Sequence, residues 1–152
     1  MNQPVVEPGQ SANVRGEYWI TSEPSQLDVS AIHEYLSQHA YWAIGRSLET
    51  VERSIAHSLC CGLFCGRQQV GFARLVTDYA TYGYLCDVYI IEAHRGLGLG
   101  TWLVQSLLEH PTLPPTMRFT LRTRDAHDLY RRFGFSTVTD TTRYMVRPPR
   151  SQ

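Results

Sequence analysis

The chain has 152 residues, 43% of them hydrophobic and 18% charged. That fits one folded domain and excludes general disorder, collagen and coiled coil. Its 14 basic residues, all Arg, balance 14 acidic ones. No whole-molecule field therefore draws it to nucleic acid or an anionic membrane, and any catalytic or phosphate-loop lysine is excluded.

Met1 to Gly16 carries Pro4, Pro8, Gly9 and Gly16 and reads as a loose arm, with residues 1–15 flexible and residues 16–152 one domain. It is polar at its start, so no signal peptide is expected. Tyr18 to Thr21 is aromatic and β-branched, a first strand. A helix follows from about Asp28, capped by Asp28 or Ser30, with Ile32, Tyr35, Leu36 and His39 as its inward stripe. Glu49 to His57 predicts a second helix. Leu59 to Cys65 and Val70 to Thr77 read as strands joined by a turn over Gly66 to Gln69.

Tyr82 to Ile91 predicts a central strand buried on both faces. A glycine-rich turn, Arg95 to Gly100, leads into a helix to about His110, ended by Pro111, Pro114 and Pro115. Met117 to Thr123 predicts another strand, Ala126 to Arg132 a short helix, and Phe135 to Val138 with Arg143 to Val146 a closing hairpin. This order gives an α/β or α+β fold, one sheet with helices on both faces.

No segment approaches the roughly 20 apolar residues that cross a bilayer, so a cytoplasmic location without membrane contact is expected. Cys60, Cys61, Cys65 and Cys86 form no pair of CxxC knuckles, and the histidines lack metal-ligand spacing. Reduced core thiols and no bound metal are expected.

The informative stretch is the strand, glycine turn and helix over Tyr84 to Leu108. The amides opening that helix lack partners within it and sit at the positive end of its dipole, a place for an anion. Gly96, Gly98 and Gly100 let a phosphate approach the backbone, and Arg95 can fork onto its oxygens. The Walker pattern fails because no GK[ST] follows. The dinucleotide pattern fails because the glycines alternate, with no acidic residue about 20 positions on. A plain tight turn is the bland alternative.

Arg95-Gly96-Leu97-Gly98-Leu99-Gly100 matches the R/Q-x-x-G-x-G/A signature of the GNAT superfamily of acyl-CoA-dependent N-acyltransferases. Ala126 to Phe135 resembles that family's A-x-x-x-Y-x-x-x-G-F segment. Thr123 stands where many members have Asn. The resemblance implies a mixed, mostly antiparallel sheet with a splayed parallel strand pair at the cofactor site. Acetyl-CoA would place its pyrophosphate on the amides of Arg95, Gly96, Leu97, Gly98, Leu99, Gly100 and Thr101. Its pantetheine arm would pair with Val88, Tyr89 and Ile90, with Thr123 and Tyr130 as further contacts. A backbone amide near Ile90 would hold the developing oxyanion.

The resemblance assigns Tyr130 as general acid; packing against Phe133 and Phe135 is its bland alternative. Asp87 is a candidate base, since a charge within a strand needs a partner or a role; a structural pair to an Arg or His is equally open. Glu92 and His94 are other candidates. Trp42, Tyr82 and Asp78 are expected to line the acceptor pocket, with Trp19, Tyr35, Tyr41, Tyr79 and Tyr84 as further aromatic walls or core. The expected activity is acetyl transfer from acetyl-CoA to the primary amine of a small molecule, by direct attack in a ternary complex. A CoA-binding sensor without turnover and a protein or peptide N-acetyltransferase are the alternatives. A homodimer is expected by analogy.

Overall fold

Alternating buried and open side chains set the strands, and 3.6-residue stripes set the helices. A computed structural model describes residues 13–150, in two compact units that divide after Arg122. Of the expected arm, residues 1–12 lie outside the described residues. Asn13–Arg15 form strand β1, paired to β2 (Tyr18–Thr21).

The first unit is a six-stranded sheet in sequence order, continuing with β3 (Leu59–Cys65), β4 (Gln68–Thr77), β5 (Tyr82–Ile90) and β6 (Arg118–Leu121). Every neighbouring pair is antiparallel except β5 and β6, which are parallel. Helix α1 (Val29–Gln38) starts where the Asp28 carboxylate accepts from the Ala31 N–H. Ser47 caps α2 (Leu48–Ala56) in the same way, through the Thr50 N–H. Ile32, Leu36 and Val51 from these helices pack with Cys60, Phe72 and Tyr89 of the sheet. Helix α3 (Leu99–Leu108) covers the other face with Leu103, Val104, Leu107 and Trp102. Adjacent Cys60 and Cys61 show the two sides: Cys60 joins the α1–α2 core, and Cys61 shares a cavity with Trp102. All four cysteines are free thiols.

The structure departs from the sequence pattern at the β3–β4 turn, in β5, at His39 and at the C-terminal hairpin. The β3–β4 turn is only Gly66-Arg67, because Gly66 at φ +55° supplies the left-handed residue of a two-residue loop; Gln68 and Gln69 belong to β4. Strand β5 is buried on both faces, but only at alternate residues: Leu85 pairs with Leu75 and Tyr89 with Phe72, on opposite faces of β4, while Tyr84, Cys86, Val88 and Ile90 are half open. His39, assigned to the inward stripe of α1, is exposed at its C-cap.

The closing hairpin is not formed. The second unit, from Thr123, holds helix α4 (His127–Arg131) and a 3-10 turn at Thr141–Arg143, with no strand among its described residues. The Asp140 carboxylate accepts from the Thr142 N–H and hydroxyl. Such local bonding offers the backbone an alternative to a ladder, and Pro148 and Pro149 bring no donor of their own.

Candidate functional site

The glycine turn owes its shape to Gly96 at φ +80° and Gly98 at φ +73°. Gly98 is the N-cap of α3, and no side chain caps the helix. A Cβ built at either glycine would meet nothing within 4 Å. The space over the turn is therefore open, and the opening amides of α3 face it without a side-chain partner, which fits a diphosphate. Gly100 already lies in the helix, where a Cβ would touch Ile90 at an ordinary 3.8 Å. Arg95 is tied down on two sides. Its Nε donates to the Ile90 carbonyl at 2.8 Å and its Nη2 to the Tyr35 hydroxyl at 3.0 Å. Tyr35 in turn stacks on Tyr89 at 3.7 Å. The arginine clamps the turn to the end of β5.

The last half of β5 is open on one edge. Pairing with β6 ends at Leu85 opposite Leu121, so Cys86 to Ile90 have no strand partner on that side among the described residues. Strand β6 was expected over Met117 to Thr123 and covers less. On the other edge, Phe72 pairs with Tyr89 and Arg74 with Cys86, so Ala73 faces two residues, Asp87 and Val88. This bulge bends the strand and re-aims its side chains. Asp87 adopts φ +52° there, a conformation Asp tolerates better than most residues. Beneath the strand end, a Cβ on Gly71 would come within 2.7 Å of Ile90 Cδ1.

Asp87 is buried, at 4% exposure, and both its oxygens are engaged. Oδ2 accepts from Arg46 Nη1 at 2.8 Å and Arg74 Nε at 2.9 Å; Oδ1 accepts from Trp42 Nε1 at 2.9 Å. The carboxylate is the hub of an ion-pair cluster, the structural alternative foreseen for it, and a free base is not what the geometry presents. Arg46 and Arg74 were not singled out from the sequence. Their one signal was an Arg within the apolar run of β4 and an Asp within that of β5. Burial pushes the nearby Cys60 thiol up to about 12 and the Cys86 thiol up to about 11, so both are neutral.

Asp78 builds a turn instead of lining a pocket. Its carboxylate accepts from the Ala80, Thr81 and Tyr82 N–H groups and the Thr81 hydroxyl, which hold its pKa below the usual range. Tyr82 is exposed, with its hydroxyl on that of Thr120. Trp42 is half exposed and meets Tyr41 edge-on. Trp19 is core, stacked on Phe64. Tyr79 is exposed and Tyr84 half-buried. His94 pairs with the Tyr18 hydroxyl at 2.9 Å, and Glu92 is exposed.

In the second unit, the Thr123 hydroxyl accepts from the Ala126 N–H ahead of α4. Tyr130 is buried, edge-on to Phe135 at 6.0 Å. A separate cavity of about 660 Å³ in the first unit lies between the β1–β2 edge and the C-terminal half of α3; none of the expected site residues lines it. Among the described residues no group of His, Cys, Asp and Glu is placed to hold a metal, and no helix is long and apolar enough to cross a membrane.

Residues 27–135 match the model of the Acetyltransferase (GNAT) family. A protein of Gibberella zeae, named as a putative acetyltransferase, is 33% identical over 136 residues, 76% of this chain and 77% of its own length. A crystal structure of a GNAT-family protein from Xanthomonas campestris pv. campestris superposes with TM-score 0.82 at 41% identity, over 87% of this chain and 93% of that one. A structure from Clostridium acetobutylicum, described as a predicted acetyltransferase with acetyl-CoA, shares the fold with TM-score 0.61 at 14% identity, over 81% of this chain and 91% of its own. The family model covers well over half of the sequence, and with the glycine turn, the bulged strand and the parallel pair it leads to one conclusion: the chain belongs to the GNAT family of acetyltransferases.

Proposed function

We propose that this protein is a cytoplasmic N-acetyltransferase that moves the acetyl group of acetyl-CoA to the primary amine of a small molecule, in a ternary complex. The observation that carries the reading is the uncapped first turn of α3 beside the open edge of β5. The turn offers N–H donors and a positive dipole end to a diphosphate. The edge offers alternating donors and acceptors to an amide-bearing arm. Val88, Tyr89 and Ile90 supply that edge, and the turn from Arg95 to Thr101 supplies the donors.

In this reading the neutral amine attacks the acetyl carbon, the backbone N–H near Ile90 stabilises the oxygen that gains charge, and the C–S bond breaks. Tyr130, by its motif position, gives the departing sulfur a proton. With both Asp87 oxygens engaged, the amine's own proton goes to solvent. The exposed Tyr144, Met145 and Val146 support a homodimer, which light scattering in solution would read.

Calorimetry with CoA tests the first step, and free-thiol release with acetyl-CoA and an amine panel tests the second. The reading expects one CoA site per chain and thiol release with at least one amine. No uptake at about millimolar CoA, an affinity near the weakest of specific binding, removes donor and reaction together.

A further inference from the structure

Two guanidinium groups converge on one carboxylate at the β5 bulge, and this leaves a positive charge unmatched. Arg46 Nη1 and Arg74 Nε share the Oδ2 atom of Asp87, at 2.8 Å and 2.9 Å. Trp42 takes Oδ1 with a neutral N–H. Arg74 places its Nη1 on the Ser58 hydroxyl at 3.1 Å. Arg74 also donates to the Cys86 thiol, while among the described residues no hydrogen bond uses Nε or Nη2 of Arg46. The thiols beside Arg74 are neutral and supply no counter-charge. The Arg46 side chain is 22% exposed against 14% for Arg74 and 2% for Asp87, so the cluster opens to solvent on the Arg46 side.

A partly buried charge without a counter-ion is unfavourable, and a guanidinium with two free donors is shaped for a carboxylate or phosphate. The cluster also sits three residues before Ile90, at most roughly 10 Å along the strand and less where the bulge shortens it. A short aliphatic chain spans that distance.

We propose that Arg46, backed by Arg74, selects an acceptor amine that carries a carboxylate or phosphate a few bonds from its nitrogen. The inference rests on the N-acetyltransferase reading. It makes Arg46 a specificity-determining residue that binds the acceptor's anion, and Arg74 and Asp87 positioning residues that hold it. The excess positive charge also favours the neutral form of the acceptor's nitrogen, the form that attacks.

The test compares matched amines in thiol release: β-alanine with propylamine, and O-phosphoethanolamine with ethanolamine. Wild-type protein is expected to prefer at least one acidic amine over its neutral match by at least about tenfold in kcat/KM, the range of one charge-assisted contact. Which pair shows the preference tells carboxylate from phosphate. Arg46→Met is expected to bring kcat/KM for the acidic amine down to that of its neutral match in the same variant, chiefly through KM, and Arg46→Lys to restore part of the preference. Equal or better turnover of neutral or dicationic amines overturns the proposal, as does a preference that survives in Arg46→Met. If no amine turns over, calorimetry of N-acetyl-β-alanine against N-acetylpropylamine in the presence of CoA decides the matter. Equal binding overturns the anion site. Tighter binding of the acid, lost in Arg46→Met, upholds the site while the transfer reading fails.

Discussion

Asp87 shows how one residue ties a strand, a loop and a neighbouring strand together. Its carboxylate neutralises guanidinium groups from β4 and from the segment between α1 and α2. Asp87→Ala leaves both cations partly buried and without their partner, a loss of about 3–5 kcal/mol in urea unfolding. Asp87→Asn keeps a hydrogen-bond acceptor and loses less. The need for a partner was legible in the sequence, because a charge within an apolar strand demands one. The partner was not. Arg46 is 41 residues away, and only the bulge, invisible to a period-two pattern, aims Asp87 at it. At Tyr130 the motif carries the assignment. Tyr130→Phe is expected to lower kcat at least tenfold, within the reach of general acid catalysis, with CoA affinity unchanged in calorimetry. Wild-type turnover would make the ring a packing partner of Phe135 alone.

Among the elements, the strand, turn and helix from β5 to α3 were the most legible. Glycine spacing, the anion-ready helix start and the apolar face of α3 are all local signals. Gly98 at φ +73° is the clearest. A methyl group there meets no neighbour, so Gly98→Ala isolates the backbone cost of a left-handed residue, about 1 kcal/mol by urea unfolding. A near-zero change would mean that the turn relaxes into another conformation. The elements that failed to match were those decided by long-range pairing. The shortened β6 depends on how far β5 offers it a partner. The missing hairpin depends on Asp140 and Thr142, whose side-chain bonds compete with a ladder.

At the scale of the whole molecule, mixed sheet and two-sided helix cover follow from the order of elements and were readable in advance. The molecule also stores an alkaline sensitivity in its core. Cys60 and Cys61 are each pushed from 9.0 up to about 12, and Cys86 up to about 11, by burial. A thiol whose folded pKa is raised contributes fully below its unfolded value and loses that contribution as pH climbs through the folded value. Denaturant midpoints are therefore expected to hold up to pH 9 and to fall between pH 9 and 12, while iodoacetamide at pH 8 leaves these three thiols largely untouched in native protein. Rapid alkylation without denaturant would show that the core opens locally.

The stretch from Cys86 to Ile90 carries one further consequence. A row of main-chain donors and acceptors without a neighbouring strand is the feature through which sheets stick to one another. Here the row is brief and bent by the bulge, two traits that blunt such adhesion. On the acetyl-CoA reading proposed above, a bound pantetheine arm covers this row, so added CoA is expected to slow aggregation in a light-scattering time course, and an unchanged rate would show that the row is not covered.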